Sequence, residues 1–271
     1  MAIAGAGAAW AGYGQPTPWE IGPQGSVTPV MDDIVSFHTY LLWVVIAIVA
    51  FVLVLLLIVI FRFNSRANPT PSRTTHNTLL EVAWTAIPVI ILLSIAIPSF
   101  KILFFQLNTP PADLTVKVTG KQWFWSYSYP DNGKFEYDSL MLKEDERQAK
   151  LAKDPKADVP RLLAVDNELV VPVNKVVRVL VTGADVIHSF AVPSFGVKID
   201  AVPGRINETW FKATREGMYY GQCSELCGRD HAYMPIAVRV VSEQDFQAWL
   251  AEAKKKYASE DTPAAVAVAA K

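Results

Sequence analysis

Two long stretches without a single charge decide most of what this chain can fold into. Residues 37–61 hold no Asp, Glu, Lys or Arg, and residues 41–60 within them are nearly all Val, Ile, Leu and Ala. As a helix that run reaches about 37 Å, more than the ~30 Å hydrocarbon core of a bilayer, so it spans with some tilt. Residues 82–100 form a second uncharged run, bounded by Glu81 and Lys101 and containing Pro88 and Pro98. In lipid a proline kinks a helix without excluding it. Neither run shows a polar face, which argues against two buried helices of a soluble protein. The lipid bilayer is thus the first expected partner.

Orientation follows from the flanks. The connection over 62–78 carries Arg62, Arg66 and Arg73 and no acid, whereas the first 36 residues hold Glu20, Asp32 and Asp33 and no Lys or Arg. Cationic loops stay in the cytoplasm, so both chain ends are expected outside. Residues 1–36 then read as an extracytoplasmic segment and 37–107 as a transmembrane hairpin. The Ala- and Gly-rich opening, residues 1–11, fits either the remnant of a secretory signal or a flexible tail; it lacks the charged start of a signal. A formal net charge of −1 gives no overall field for nucleic acid, and none is expected as a partner.

Past residue 108 the pattern changes. Leu-Thr-Val-Lys-Val-Thr-Gly, from Leu114, alternates apolar and polar positions, as a half-buried strand requires. Further β-prone runs cover 121–129, 162–165, 176–182, 189–192, 208–212, 218–221 and 236–241, with turn residues such as Asn132-Gly133 and Pro203-Gly204 between them. Many short strands without intervening helices suggest a sandwich or barrel over 108–241. Residues 143–161 are charge-rich, with Pro155 and Pro160, and read as a solvated insertion holding a helical turn or two. Residues 242–257 read as a terminal helix, with Ser242 as its cap, Asp245 near the positive end of the dipole and Lys254, Lys255 and Lys256 near the negative end. Residues 258–271 read as a mobile tail.

The chemistry is concentrated between residues 221 and 234. This stretch supplies Cys223, Cys227, His231 and Met234, and the outer domain has one further histidine, His188. His38 and His76 lie in the other structural layer and read as interface or solvated residues. Soft sulfur with borderline nitrogen is the donor set copper prefers. A disulfide between Cys223 and Cys227 would leave His231 and Met234 unexplained. A structural zinc site would leave Met234 idle. A mononuclear blue-copper site would have one cysteine to spare. Two thiolates bridging two copper ions, each taking one histidine, use every donor. From residue types alone the disulfide and zinc remain alternatives.

The stretch QCSELCGRDHAYMP over 222–235 resembles the dinuclear copper A loop of the subunit 2 family of cytochrome c oxidase. DVIHSFAVPSFGVKIDAVPGR over 185–205 resembles the family's segment with the other histidine, and QWFWSY over 122–127 its aromatic motif. RLLAVDN over 161–167 and EVAWT over 81–85 are also similar to family segments, and the likeness runs from about residue 32 to residue 250. The insertion at 143–161 and both tails depart from it.

The resemblance implies a membrane-anchored α+β architecture, with an N-terminal two-helix transmembrane hairpin and an all-β, cupredoxin-like Greek-key barrel. It implies copper A ligation by His188, Cys223, Cys227, His231 and Met234 and by the main-chain carbonyl of Glu225. The Glu225 carboxylate would reach a magnesium ion shared with subunit 1, a hard cation that prefers oxygen. Trp123 resembles the residue where the electron enters, and Glu81 the entrance of a proton pathway. Expected partners are reduced cytochrome c, subunit 1 with haem a and the haem a3–CuB centre, and further subunits. Asp131, Glu136, Asp138 and Asp185 are candidate acids for steering a basic cytochrome c. The implied activity is electron entry for reduction of O2 to water coupled to proton pumping. The expected location is the bacterial inner membrane, multi-pass, with both termini and the copper domain in the periplasm; the mitochondrial inner membrane is the alternative. A quinol oxidase subunit would lack these copper ligands, and a copper chaperone would not need Trp123, Glu81 or Glu225 at family positions.

Overall fold

The computed structural model describes residues 14–133, 135–155 and 157–257, so the readings of residues 1–11 and 258–271 fall outside the described residues. The chain forms two compact units, one from Asp33–Phe105 and one from the remainder.

The first unit is the helical hairpin. Helix α1 runs over Pro29–Arg62 and α2 over Thr78–Leu107, both long and apolar enough to cross a membrane. They extend beyond the uncharged runs because their ends are capped by signals that composition does not register. Thr28 Oγ1 accepts the Met31 N–H at 3.0 Å, and Pro29 follows it at a position where no N–H is needed. Asn77 Oδ1 accepts the Leu80 N–H at 3.1 Å at the start of α2. Pro88 and Pro98 sit within α2, which continues through both. The Tyr40 and Ser94 hydroxyls meet at 2.7 Å between the helices.

The second unit is a β domain of two five-stranded sheets. Strands β1 (Leu114–Lys121), β2 (Phe124–Ser128), β3 (Glu136–Ser139), β5 (Val177–Gly183) and β8 (Asn207–Phe211) form one sheet, ordered β3-β2-β1-β5-β8. The other sheet is ordered β4-β10-β9-β6-β7, from β4 (Leu169–Pro172), β6 (His188–Val192), β7 (Val197–Ala201), β9 (Gly217–Cys223) and β10 (Pro235–Val241). Pairing is antiparallel except for β1 with β5 and β4 with β10. The inner positions of both sheets, among them Val116, Trp125, Val179, Phe190, Phe211 and Val238, share one core. The alternation seen in the sequence from Leu114 is the alternation of burial along β1.

Helix α3 (Glu144–Lys153) rises from the charged insertion and buries no residue. Helix α4 (Glu243–Tyr257) docks by Phe246, Leu250 and Ala253. Residues 162–165, read above as a strand, make only a single bridge, between Val165 and Met141, and Leu162 has a left-handed φ of 66° that ends any ladder there. Three strands were not anticipated. Strand β4 is buried at every position and so shows no alternation, β3 carries two acids, and β7 is interrupted by exposed Lys198 and Asp200.

Residues 14–32 belong to the same unit as the β domain. Thr28 is fully buried, and its hydroxyl donates to the Phe195 carbonyl at 2.8 Å. The Tyr220 N–H donates to the Gly14 carbonyl at 2.7 Å. The leading segment is therefore part of the domain surface.

Candidate metal centre

The donors converge at one end of the second sheet. His188 opens β6, Cys223 closes β9, and the connection to β10 carries Cys227, His231 and Met234. The pairing of β6 with β9 sets Phe190 opposite Cys223, which fixes the histidine arm against the cysteine arm. The Ser224 N–H continues this pairing to the Ser189 carbonyl at 3.0 Å.

Cys223 Sγ lies 3.9 Å from Cys227 Sγ and 3.9 Å from His188 Nδ1. Cys227 Sγ lies 3.5 Å from His231 Nδ1 and 3.6 Å from Met234 Sδ. The Glu225 carbonyl oxygen is 3.4 Å from Cys223 Sγ. Both cysteines are free thiols, and a disulfide would need its sulfurs at about 2.05 Å. Two donors each about 2.3 Å from one metal ion at the tetrahedral angle stand about 3.8 Å apart, so the spacing is that of thiolates sharing a metal. Such spacing suits zinc as well as copper; the buried thioether of Met234 among the donors favours the softer metal. His188, Cys223, Cys227 and Met234 are buried and His231 is half-buried, so the donor set fits a copper centre shielded from water.

Surrounding groups hold the donors in place. Asp185 Oδ1 lies 2.8 Å from His188 Nε2, which directs Nδ1 toward the thiols. The Asp185 carboxylate also accepts the N–H groups of Val186 and Gln122, both at 2.7 Å. Burial opposes ionisation of Asp185, but the bonds with His188, Val186 and Gln122 outweigh it and lower its pKa. Burial likewise opposes the imidazolium of His188, yet Cys223 and Asp185 raise its pKa. Burial works against the Cys223 thiolate, but His188 and the backbone at Glu225 and Ser189 bring its pKa down. Burial and the charge of Cys223 push Cys227 up. One thiol therefore ionises readily and hinders the second, and a cation between them removes that conflict.

The first sheet closes the site from the other side. Trp125 stands edge-on to His188 at 6.0 Å and to Phe190 at 5.5 Å, and its Nε1 donates to the Met234 carbonyl at 3.1 Å. Gly120 of β1 faces the His188 ring, and a Cβ there would stand 2.9 Å from His188 Cδ2. Trp123 is half-buried in the turn before β2, where its Nε1 donates to the Cys227 carbonyl at 3.3 Å and Arg229 covers its ring at 5.4 Å. Sequence reasoning missed Gln122, Trp125 and Gly120 as parts of the site. Gln122 and Trp125 both lie in the QWFWSY stretch, and Trp125 is also an aromatic at an inward strand position; Gly120 left no signal.

The remaining predicted residues lie elsewhere. The Glu225 side chain is exposed. Glu81 is half-buried in the first turn of α2, where its carbonyl accepts the Thr85 hydroxyl at 2.9 Å. Asp131 is exposed after β2. Glu136 and Asp138 point outward from β3 and share Lys121, at 3.7 and 3.5 Å.

Fold and site together define a class: a β domain that brings thiol, imidazole and thioether donors together at one end of a sheet, preceded by a hairpin of spanning length. Two family models match. The one described as cytochrome c oxidase subunit II, periplasmic domain, covers residues 114–241, and the one described as its transmembrane domain covers residues 16–102. The chain belongs to the cytochrome c oxidase subunit II family. It is 52% identical over 241 residues to the probable cytochrome c oxidase subunit 2 of Rickettsia bellii (strain RML369-C), covering 89% of this chain and 87% of that one. It is 47% identical over 251 residues to cytochrome c oxidase subunit 2 of Cereibacter sphaeroides, covering 89% and 82%. Among solved structures, the periplasmic domain of subunit II of cytochrome oxidase (CoxB) of Bradyrhizobium japonicum matches at 66% identity with a TM-score of 0.49, covering 55% of this chain and 99% of that one.

Proposed function

We propose that this chain is the electron-entry subunit of its oxidase, taking electrons from reduced cytochrome c and passing them to haem a of subunit 1. The observation that carries this reading is the convergence of His188, Cys223, Cys227, His231 and Met234 at contact distance, with all but the half-buried His231 buried. These donors, with the Glu225 carbonyl, would hold a pair of copper ions, which would supply a one-electron carrier. The protein's part is to keep the donors fixed. Asp185 orients His188, Trp125 packs against the imidazole, and the buried thiols exclude water, so little has to rearrange between oxidation states.

Trp123 is the proposed entry residue: it is half-buried, so part of it reaches solvent, and its Nε1 donates to the Cys227 carbonyl. Asp131, Glu136, Asp138 and Asp185 are proposed to steer the basic donor. The exposed Glu225 carboxylate is proposed to hold magnesium at subunit 1, and Glu81 to open a proton pathway of the complex. O2 reduction and its coupled proton pumping belong to the whole oxidase. The location proposed is the bacterial inner membrane, with the copper domain and both termini in the periplasm, in accord with the bacterial relatives and the cationic loop at 62–78.

The test is metal content and electron paramagnetic resonance of the full chain in detergent. Two coppers per chain sharing one unpaired electron, with coupling to both nuclei, are expected. Bound zinc, or a single mononuclear copper, would refute the reading.

A further inference from the structure

Gln122 lies in the turn between β1 and β2, and its side chain is exposed. A glutamine in such a place ordinarily meets only water. Here its Nε2 donates to the Cys227 carbonyl at 3.0 Å, beside the Trp123 indole bond to the same oxygen at 3.3 Å. Its backbone N–H donates to Asp185 Oδ2 at 2.7 Å, and the other oxygen of that carboxylate is the partner of His188 at 2.8 Å. One residue therefore touches both arms that deliver donors: the strand arm with His188 and the loop arm with Cys227.

Gly228 shows that the loop is shaped for this contact. Its φ is +124°, and an added Cβ would lie 3.2 Å from Gln122 Nε2 and 3.0 Å from Trp123 Cζ2. The residue after Cys227 thus leaves room for both side chains to reach the Cys227 carbonyl. Fixing that carbonyl fixes the peptide plane from which the neighbouring loop residues depart, while fixing Asp185 fixes the imidazole.

We infer that Gln122 is a positioning residue for the metal centre, its side-chain amide holding the Cys227 carbonyl and its backbone N–H holding Asp185, so that the spacing of the two arms is set by one residue. The inference rests on the copper-centre reading above, and part of its test needs no copper.

The experiment uses the full chain in detergent with Gln122→Glu and Gln122→Met. The first keeps the shape but removes the donating amide; the second keeps the length with no donor at all. Because the side chain is exposed, neither change disturbs the core. With copper loaded, retention against a competing chelator is expected to fall about tenfold, and the copper hyperfine pattern to change. In the metal-free chain, amide exchange over residues 224–231 is expected to rise about fivefold, the effect of one lost hydrogen bond, while exchange in β10 stays the same. Unchanged exchange and an unchanged hyperfine pattern in both variants would overturn the inference. A wild-type chain that binds no copper, with exchange still accelerated in the variants, would overturn the copper reading and leave the positioning role standing.

Discussion

The hairpin and the β domain satisfy the same backbone by opposite means. In the hairpin each helix closes its own backbone hydrogen bonds, and most apolar side chains of α2 are exposed, with none fully buried. In the β domain the hydrogen bonds run between strands far apart in sequence, and the apolar side chains turn inward to a shared core. The hairpin needs lipid to make sense of its surface. The β domain makes its own dry interior and can therefore shield a charged donor set. That difference explains why the metal donors are all in the second unit, at the end of a sheet where two arms meet.

The comparison breaks most completely at alkaline pH. Burial raises the phenol pKa values of Tyr127, Tyr129 and Tyr137 above the ordinary value of 10.0. A raised folded-state pKa gives stability that is full below the unfolded value and is lost as pH rises above it. The near-ultraviolet circular dichroism of the β domain should thus collapse as pH climbs past about 10, while helical signal from the hairpin persists. Equal resistance of both signals would show that these phenols are not enclosed.

A core truncation comes next. Phe211 is fully buried and packs on Phe195 at 4.7 Å, so Phe211→Ala should destabilise the β domain by about 3–5 kcal/mol in denaturant titration. Phe51, exposed on α1, gives a contrasting variant: Phe51→Ala should leave that midpoint unchanged. The reverse contrast uses a charge. Leu53→Arg, within the apolar run 41–60 of α1, should oppose membrane insertion by up to about 3 kcal/mol, read as a loss of membrane-integrated chain, with no change in β-domain unfolding. The smallest effect is expected at Ser242, whose hydroxyl accepts the Asp245 N–H at 3.1 Å. Ser242→Ala should cost about 1 kcal/mol, seen as earlier fraying of α4.

How readable each part was follows from the same contrast. The hairpin is a matter of composition, so residues 37–61 and 82–100 announced it, although Thr28 and Asn77 set its true starts. Four donors lie within one short loop, and their spacing was legible. The parts that hold them were not. Asp185 looked like a surface acid because nothing in the sequence turns its carboxylate onto His188 three residues on, and Gln122 looked like a turn residue because its contact with Asp185 crosses 63 residues of sequence. Gly120 matters only because β1 faces His188 from the opposite sheet. Strand β4, apolar throughout, has no period to read.

The 35-residue separation between His188 and Cys223 has a consequence for biogenesis. Cys223, Cys227, His231 and Met234 lie close together in sequence, but His188 joins them only when β6 and β9 have paired. The full donor set is therefore assembled only after the long-range topology is complete, and a molecule that pauses short of it would offer a metal ion one donor fewer. A complete donor set would thus mark a finished fold.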